Sequence, residues 1–483
     1  MTILDGSGAP LHGRRYHFSG VGGSGMAPLA ALAVALGAEV TGSDRNLDRG
    51  LALHVFESLR RAGVRLVPQN GSGVDEGLAA LVHSTAVEPT NPDFLRAEAL
   101  GIPRIRRGTF LAWIVASRRA VAIAGTSGKS TVTAMTAHIF VSAGLDPWFL
   151  GGGAALRLAG SVSPGGLRVG GSEWLVVETD ESDGSVAECA AAISVLTNLS
   201  RDHKEIDETA RNFEALLEKT RERVVVNVGD PVLERVRIPS GLPALRVAVE
   251  GAPTWATPDL LAERIRLAPD SVEFRIGGAP ARVPFPGAMT VENASLAIAA
   301  ATAAEIPLVK AAAALASFGG VRRRLERVGS ASGIDVFDDF AHNPVKISAA
   351  LEALRPSGHL WIYYQPHGYG PTRFFADQLI ETFRRGLRPG DRLLLAPIYD
   401  AGGTADRSFR AEDLAARMRS AGVAVELAST RDDAVRLAAE GARSGDRIVV
   451  MGARDDTLPI FARTLFASLL DRASAAPTQE EPR

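Results

Sequence analysis

Two glycine-rich segments, each placed between an apolar strand-like run and a helix-like run, constrain the fold of this chain most strongly. The first is "HFSGVGGSGM", residues 17–26, which contains a G-x-G-x-x-G pattern. The second is "AVAIAGTSGKST", residues 120–131. A tight strand-to-helix turn needs glycine where the backbone approaches a diphosphate, whose charge is met by amide groups and the positive end of the helix. We therefore predict an α/β protein with two phosphate-binding turns.

Apolar strand-like runs alternate with helix-like stretches in three successive series. A length of 483 residues fits about three domains of ordinary size. We predict domain boundaries at residues 1–115, 116–320 and 321–472. The ending "SAAPTQEEPR" is small and polar, so residues 473–483 are predicted to form a disordered tail. A proline-rich stretch at 231–287 is expected to be an irregular or antiparallel excursion of the second series.

Composition and charge exclude several classes of partner. The formal charge is −2 and the arginines are scattered, so no basic face indicates nucleic acid or an anionic membrane. No apolar run reaches the ~18 residues of a membrane span, and the N-terminal residues do not resemble a signal peptide. The single cysteine, Cys189, can form no internal disulfide, which fits a reducing, cytoplasmic setting.

The first glycine turn, taken alone, leaves its ligand open. Asp44 ends the next apolar run, about where the ribose-binding acid of a dinucleotide site stands. The turn fixes a diphosphate without naming the nucleotide. NAD, another nucleotide and a purely structural tight turn are therefore all consistent with these residues.

The second glycine turn is the more informative phosphate motif. Gly125 and Gly128 let amide groups wrap a phosphate. Lys129 can reach the outer phosphates, and Ser130 can ligate magnesium. The first glycine of the full G-x-x-x-x-G-K-[ST] loop is replaced by Ile123. A strand before the turn and a helix after it favour an ATP site over a solvated turn.

Acidic side chains follow two strand-like runs of the second series. "VVETDESDGS" contributes Glu178, Asp180, Glu181 and Asp183. "LTNLSRDHKEID" contributes Asp202 and His203. Carboxylates and an imidazole at neighbouring strand ends suit a divalent metal that bridges ATP and a substrate, although acidic loops are often only solvated.

The third series repeats this arrangement. "VFDDFAHNP" and "YYQPHGYGPTR" place polar side chains at strand ends, where ligand sites of α/β proteins form. These side chains are Asp338, Asp339, His342, His367 and Arg373. Each histidine alone would more often be structural than functional.

Taken together, these segments resemble the Mur ligase family, the ATP-dependent amide ligases of peptidoglycan precursor synthesis, and most closely its L-alanine-adding members. The resemblance rests on ten segments that occur in family order across most of the chain. They are "HFSGVGGSGM", "GSD", "HSTAV", "GIPRIRRG", "AGTSGKST", "ETDESD", "TNLSRDH", "VRRRLE", "DDFAHNP" and "QPH". In this family the first glycine turn holds the diphosphate of a UDP-sugar, so the resemblance argues against NAD.

The resemblance implies a three-domain architecture and a reaction. The domains would be a Rossmann-like UDP-binding domain, a central P-loop ATPase domain and a C-terminal Rossmann-like domain. A substrate carboxylate attacks the γ-phosphate of ATP, and an amine captures the resulting acyl phosphate to give amide, ADP and phosphate. The implied cofactors are ATP and Mg²⁺, the partners are a UDP-sugar and an amine, and the expected state is a monomer or weak homodimer.

The resemblance also implies roles for individual residues. The catalytic set is Lys129, Glu181, His203 and His342. The metal ligands are Ser130, Glu181 and His203, with Glu178 in reserve. The ATP-binding set is Gly125, Thr126, Ser127, Gly128, Lys129, Ser130, Thr131, Asn293, Arg324 and Asp339. Arg324 and Asp339 would lie with His342 where the third domain closes on the second. The substrate-binding set is Gly22, Gly23, Ser24, Gly25, Asp44, Ser84, His367 and Arg373.

Several positions depart from the family pattern. The adenine segment usually reads G-x-H-N-x-x-N, whereas "GAMTVEN" has Met289 and Thr290 in place of the His-Asn pair. "DDFAHNP" has Asn343 where L-alanine-adding members have a second histidine. Those members also carry an arginine directly after "QPH" and another three residues later, which hold the carboxylate of the amino acid. Here these positions are Gly368 and Pro371, so we expect that free L-alanine is not the preferred amine.

Two other functions compete with a wall-pathway ligase. A ligase of the same scaffold could act on a different carboxylate or amine outside the wall pathway. A catalytically dead nucleotide-sugar sensor is disfavoured because Lys129, Ser130, Glu181 and His203 are all present.

Overall fold

The strands form three separate sheets in the computed structural model, which describes residues 11–158, 161–162, 165–201, 204–400 and 406–475. Within these described residues the sheets contain five, eleven and six strands in chain order. The three series of alternating strands and helices predicted from the sequence are thus confirmed as three α/β sheets.

The first sheet follows the N-terminal residues and is entirely parallel. Its elements are β1 (Arg15–Ser19), α1 (Met26–Ala35), β2 (Glu39–Ser43), α2 (Arg45–Asp48), α3 (Leu53–Arg61), β3 (Arg65–Leu66), β4 (Ala80–His83), α4 (Pro92–Ala99), β5 (Arg104–Arg106) and α5 (Arg107–Ala116). The strand order is β3-β2-β1-β4-β5. Strand order reverses between β1 and β4, the point at which ligands of open α/β sheets bind beyond the carboxyl ends of the strands.

Aromatic packing fixes β1 against the last helix of this sheet. Tyr16 and Phe18 point to the same side of β1 because they are two residues apart. Their rings contact Phe110 of α5 edge to face, with centroids 5.1 and 5.4 Å away. All three rings are fully buried. The first glycine turn therefore starts from a rigid strand.

The second sheet carries the second glycine turn. Its elements are β6 (Arg119–Ala124), α6 (Lys129–Ser142), β7 (Trp148–Leu150), β8 (Ser161–Val162), β9 (Leu167–Arg168), β10 (Trp174–Glu178), β11 (Ile193–Leu196), α7 (Ile206–Lys219), β12 (Arg223–Asn227), β13 (Ala244–Val249), β14 (Leu260–Ala268), β15 (Ser271–Ile276), β16 (Ala279–Val283), α8 (Ala288–Ala303) and α9 (Leu308–Ala314). The order is β16-β15-β14-β13-β12-β11-β6-β10-β7-β9-β8. In its centre β6 lies between β10 and β11, parallel to both.

The stretch 231–287 differs from the expectation. Its strand β13 pairs in parallel with β12, and β14 pairs in parallel with β13, so both strands extend the main sheet. The prediction of irregular or antiparallel structure was wrong for these two strands. Mixed polarity concealed them, because β14 largely alternates buried and exposed residues and does not form a continuous apolar run.

The third sheet is parallel except for its first strand, which pairs antiparallel with the second. Its elements are β17 (Glu326–Ala331), β18 (Ile334–Asp339), α10 (Pro344–Ala353), β19 (Leu360–Gln365), α11 (Tyr369–Phe374), α12 (Ala376–Gly386), β20 (Arg392–Leu395), α13 (Ala411–Ser420), β21 (Val425–Leu427), α14 (Arg431–Gly441), β22 (Arg447–Gly452) and α15 (Leu458–Ala475). The order is β17-β18-β22-β19-β20-β21. Alternate residues of β19 enter separate apolar clusters, which shows that both faces of the sheet are covered.

The chain divides into two compact units, the first containing residues up to 266, 273–284 and 290–319, and the second the remainder. Helix α15 ends at Ala475, and residues 476–483 of the predicted disordered tail lie outside the described part of the chain. Among the described residues, no helix combines the length and apolar character required to cross a membrane.

Candidate active site

The turn between β6 and α6 can be formed only with glycine at two positions. Gly125 has φ of +145° and Gly128 has φ of +80°. A Cβ on Gly125 would lie 1.9 Å from Thr197 Oγ1, and one on Gly128 would lie 2.5 Å from Asn293 Oδ1. The backbone thus approaches its neighbours more closely than any side chain would allow.

Residues just beyond β11 hold this turn in shape. Asn198 Oδ1 accepts hydrogen bonds from the Ser127 amide and the Thr126 hydroxyl, both at 2.8 Å. Thr197 Oγ1 donates to the Ser127 carbonyl over 2.7 Å. Neither Thr197 nor Asn198 was predicted from the sequence to belong to the site. The available signal was their place in "TNLS", directly after a strand that neighbours β6.

Lys129 and Glu181 form an ion pair inside the turn. Lys129 Nζ lies 2.7 Å from Glu181 Oε2 and 2.7 Å from the Gly125 carbonyl oxygen. The two side chains are only 13% and 6% exposed, respectively. Burial raises the pKa of Glu181 above its ordinary value, although Lys129 lies beside it. The buried carboxylate therefore keeps the ammonium group within the phosphate-binding turn.

The acidic segment after β10 is held from both sides. Arg107 Nη2 lies 3.1 Å from Asp180 Oδ2 and 3.4 Å from Asp183 Oδ2. Burial opposes ionisation of Asp180, but hydrogen bonds from Ser182 and the charge of Arg107 hold its pKa below the ordinary value. Nearby, Glu178 Oε2 accepts a hydrogen bond from the Gly152 amide over 2.6 Å. Three of these acids thus have specific partners and are not merely solvated.

The predicted metal ligands are only partly described. Ser130 is buried in the first turn of α6, beside the Lys129–Glu181 pair. His203 and its neighbour Asp202 lie outside the described residues. Within the described ranges, no group of three histidine, cysteine, aspartate or glutamate residues could hold a metal. The described donors are therefore the Ser130 hydroxyl and the Glu181 carboxylate.

Helix α8 places Asn293 against the second glycine turn. Asn293 is buried and lies beside Gly128, as the Cβ position above shows. The preceding residue, Glu292, accepts a hydrogen bond from Asn227 Nδ2 over 3.0 Å. Burial and the nearby charge of Asp230 raise the pKa of Glu292 to about 7. The structure thus brings Asn293 to the predicted ATP-binding turn, with an unusual acid next to it in sequence.

The first glycine turn is held by Asp44. Its Oδ2 accepts from the Gly22 amide over 2.9 Å, and its Oδ1 accepts from the Asn46 amide over 2.8 Å at the start of α2. Gly23 and Ser24 are exposed at the tip of the turn. Of the residues predicted to bind UDP, the tip residues present backbone to solvent, whereas Asp44 supports the turn from below.

A buried polar pair that joins β1 to α4 was not recognised from the sequence. His17 Nε2 is 3.4 Å from Asp93 Oδ2, and both side chains are fully buried. Asp93 also accepts from the hydroxyl of Ser19 over 2.9 Å. At the end of β4, Ser84 Oγ accepts from the Ala86 amide over 3.3 Å. These bonds order the carboxyl ends of β1 and β4.

The second unit gathers four of the predicted residues near β18 and β19. Asp339 is buried and accepts hydrogen bonds from the amides of Leu325 and Ala341, both at 2.7 Å. Burial raises the pKa of Asp339. Arg324 stacks on the Phe340 ring, 4.9 Å from its centroid. Asp339 thus fixes the loop that presents Arg324.

Two histidines face each other at the end of this sheet. The His342 and His367 rings lie 5.2 Å apart, edge to face. Burial lowers the pKa of His367 to about 4, assisted by the charges of Arg454 and Lys346. His342 Nδ1 is 2.8 Å from the Phe340 carbonyl oxygen. The His367 imidazole is therefore held in its neutral form.

Arg373, predicted to bind substrate and the arginine nearest to Gly368 and Pro371 in sequence, already has an acidic partner. Its Nη2 lies 2.8 Å from Asp406 Oδ2. That arginine and a backbone hydrogen bond from Ser408 hold the pKa of Asp406 low, at about 2, with the backbone bond contributing most. The charge of Arg373 is thus matched by a carboxylate that is ionised at neutral pH.

Three family models match the chain in order. They are "Mur ligase family, catalytic domain" at residues 15–119, "Mur ligase middle domain" at 123–301 and "Mur ligase, glutamate ligase domain" at 323–454. The UDP-N-acetylmuramate–L-alanine ligase of Solibacter usitatus is 35% identical over 90% of this chain and 92% of its own length. The enzyme of that name from Desulforamulus reducens is 32% identical over 92% and 95%.

Solved structures share the fold. The UDP-N-acetylmuramate–alanine ligase of Thermotoga maritima superposes with a TM-score of 0.74 at 21% identity, covering 96% of this chain and all of that one. A murein peptide ligase of Psychrobacter arcticus gives 0.67 at 24% identity, over 95% and 99%. A relative with 35% identity over nine tenths of the sequence, and family models in the expected order, shows that the chain belongs to the Mur ligase family.

Proposed function

We propose that this protein is an ATP-dependent amide ligase of peptidoglycan precursor synthesis. It joins the carboxylate of a UDP-N-acetylmuramate-type nucleotide sugar to the amine of an amino acid or peptide through an acyl phosphate. The observation that carries the proposal is the buried Lys129–Glu181 pair, 2.7 Å apart within a glycine turn, in a chain of an ATP-dependent family. A turn of this kind serves phosphoryl transfer from ATP.

Catalysis in such a site is positioning and charge neutralisation. Lys129 neutralises the outer phosphates, and the amides of residues 125–131 surround them. Asn293, placed against Gly128, contacts the nucleotide. Because Glu181 is buried and Lys129 is anchored to Gly125 O, the cation is preorganised and loses little freedom when phosphate arrives. Arg324, Asp339 and His342 are proposed as further ATP-site residues on the second unit.

The donor set fits magnesium. Mg²⁺ takes oxygen ligands and in phosphoryl-transfer sites is held by one or two protein oxygens together with phosphates and water. Ser130 and Glu181 supply a hydroxyl and a carboxylate beside the turn. When bound, Mg²⁺ withdraws charge from the phosphate oxygens. His203 is proposed as a ligand of a second magnesium, with Glu178 in reserve.

The nucleotide sugar is proposed to bind at the first glycine turn through Gly22, Gly23, Ser24 and Gly25. Exposed backbone at the start of α1 offers amides and the positive end of the helix to a diphosphate. Asp44, which is engaged by two amides, acts by fixing the turn. Ser84, at the end of β4 beside β1, is proposed to contact the sugar nucleotide.

The preferred amine is proposed to be something other than free L-alanine. Gly368 and Pro371 carry no charge where L-alanine-adding members carry arginines. Arg373 is paired with Asp406, which reduces its attraction for a substrate carboxylate. A larger or differently charged amine would use the room at this segment, with His367 lining it. This same departure supports a second candidate, a Mur-type ligase acting on another carboxylate or amine outside the wall pathway.

We propose domains at residues 1–115, 116–320 and 321–472, a cytoplasmic location, and a monomer or weak homodimer. No interaction with nucleic acid or a membrane is proposed, since the formal charge is only −2.

One assay tests the function. Purified protein is incubated with ATP, Mg²⁺, UDP-N-acetylmuramate and, in turn, L-alanine, other amino acids and short peptides, while ADP release and product mass are measured. We expect ADP release that requires both the sugar and an amine, with a peptide or a larger amino acid turned over more efficiently than L-alanine. Lack of ADP release with every amine would contradict the sugar assignment. A KM for L-alanine up to ~1 mM with ordinary kcat would contradict the amine assignment.

A further inference from the structure

Arg107 lies between the two glycine turns. It is the first residue of α5, directly after the last strand of the first sheet. Its side chain is 19% exposed, and its Nη2 contacts both Asp180 and Asp183 at 3.1 and 3.4 Å. These acids belong to the segment after β10 of the second sheet. One guanidinium therefore joins the first two sheets of the same compact unit.

The other side of this guanidinium faces the first glycine turn. A Cβ built on Gly25 would lie 3.2 Å from Arg107 Nη1 and 3.4 Å from its Cδ. Gly25 immediately precedes α1, so the cation stands at the end of the helix where an anion is favoured. Its Nη1 lies toward the turn and its Nη2 contacts the carboxylates, so the anion site and the acidic segment share one guanidinium.

The acidic segment also rests directly on the start of α5. A Cβ on Gly108 would lie 2.0 Å from Ser185 Cβ, so the Ser185 side chain packs directly on the α5 backbone and leaves no room for a side chain at position 108. The same segment carries Glu181, which holds Lys129 in the ATP turn. Contacts thus run from Gly25 through Arg107 and the acidic segment to Lys129.

We propose that Arg107 is a positioning residue that contacts the diphosphate of the nucleotide sugar and, through Asp180 and Asp183, sets the segment that presents Glu181 to Lys129. The inference rests on the proposed function and adds how the two substrate sites communicate. Asp180 and Asp183 compete with the diphosphate for the same guanidinium. Binding of the diphosphate to Arg107 therefore weakens the contact of Arg107 with the acidic segment, and that contact in turn weakens binding of the diphosphate.

The test compares Arg107→Gln, Arg107→Lys and Asp183→Asn with Arg106→Gln, the exposed neighbouring arginine. Binding of UDP and UDP-N-acetylmuramate is measured by calorimetry, and kcat and KM are measured separately. We expect Arg107→Gln to weaken UDP binding by about tenfold or more and to lower kcat. Arg107→Lys should restore most of the affinity because the charge is kept, but little of kcat because the fork is lost. Arg106→Gln should match the wild type.

Asp183→Asn gives the sharpest outcome. Releasing Arg107 from one carboxylate should leave UDP affinity unchanged or tighter while kcat falls, a split that general damage to the structure would not produce. If Arg107→Gln binds UDP like Arg106→Gln, or if Asp183→Asn weakens UDP binding, the proposal is wrong. If Arg107→Gln fails to fold, the Arg107→Lys and Asp183→Asn results decide. UDP binding can be measured without turnover. If UDP binding depends on Arg107 as expected but the protein shows no ligase activity, the proposed reaction is rejected and this inference stands.

Discussion

Lys129 Nζ and Glu181 Oε2 lie 2.7 Å apart in a pair that is almost closed to solvent. Such pairs add little net stability, but losing one partner leaves an uncompensated buried charge. The pair therefore marks a place where the chain holds a cation ready for a ligand. Its two members come from the start of α6 and the segment after β10, which are fixed by separate strands of one sheet.

Replacement of Lys129 by alanine should abolish ADP formation. The outer phosphates lose their cation, and we expect kcat to fall on the order of 10²–10³-fold or more. UDP-sugar binding, measured by calorimetry, should remain within a few-fold of wild type because it occurs at the first glycine turn. Lys310→Ala, at an exposed position of α9, is the matched control. Retained turnover in Lys129→Ala would contradict the proposal that the second glycine turn binds ATP.

Replacement of Asp406 by asparagine should improve the use of amines that carry a free carboxylate. The substitution removes the anion 2.8 Å from Arg373 and frees that guanidinium for substrate. We expect KM for L-alanine to fall by roughly 3–10-fold with little change in kcat, as befits an exposed charge pair. Asp400→Asn, which alters the neighbouring pair with Arg407, serves as control. An unchanged or higher KM would show that Arg373 does not receive the carboxylate.

Local patterns predicted both glycine turns and the strands and helices beside them, though not β13 and β14, because strand–turn–helix order depends on residues near one another in sequence. The supports of the site could not be predicted in this way. Asn198 shapes the second turn, and Arg107 meets the acidic segment, only because distant strands become neighbours. Asp44 illustrates the same limit: the sequence predicted that it binds the UDP part, but did not reveal that two backbone amides donate to its carboxylate.

Replacement of Glu292 by glutamine should stabilise the protein at pH 8 more than at pH 5. The pKa of Glu292 is about 7 in the folded chain against an ordinary 4.5, so the folded state holds a proton that the unfolded state releases. Stability is therefore lost as pH rises from about 4.5 through 7, by up to about 3 kcal/mol. Glutamine removes this loss, and Tm at pH 8 should rise by several degrees. The exposed Glu234→Gln is the control; equal Tm shifts at both pH values would contradict the burial of Glu292.

Replacement of His367 by glutamine should flatten the loss of stability in acid. The pKa of His367 falls from 6.5 to about 4 on folding, so between pH 6.5 and 4 the unfolded state binds a proton that the folded state does not bind. Its share of the stability is present above pH 6.5 and disappears as pH falls toward 4. Thermal melts from pH 7.5 to 4.5 should show a shallower decline for the variant. His54→Gln, an exposed substitution in α3, should retain the wild-type slope, and identical slopes for all three proteins would contradict a neutral His367.

The contacts of Gly128 with Asn293, and of Ser127 with Asn198, determine when the growing chain becomes able to bind nucleotide. A growing chain that has emerged through α6 holds the whole "GTSGKST" motif, yet the residues that shape it are still to be translated. The phosphate cradle can form only after β11 has paired beside β6 and α8 has docked. Nucleotide binding is therefore a late step in folding, and ATP can stabilise the completed unit without trapping its partly synthesised forms.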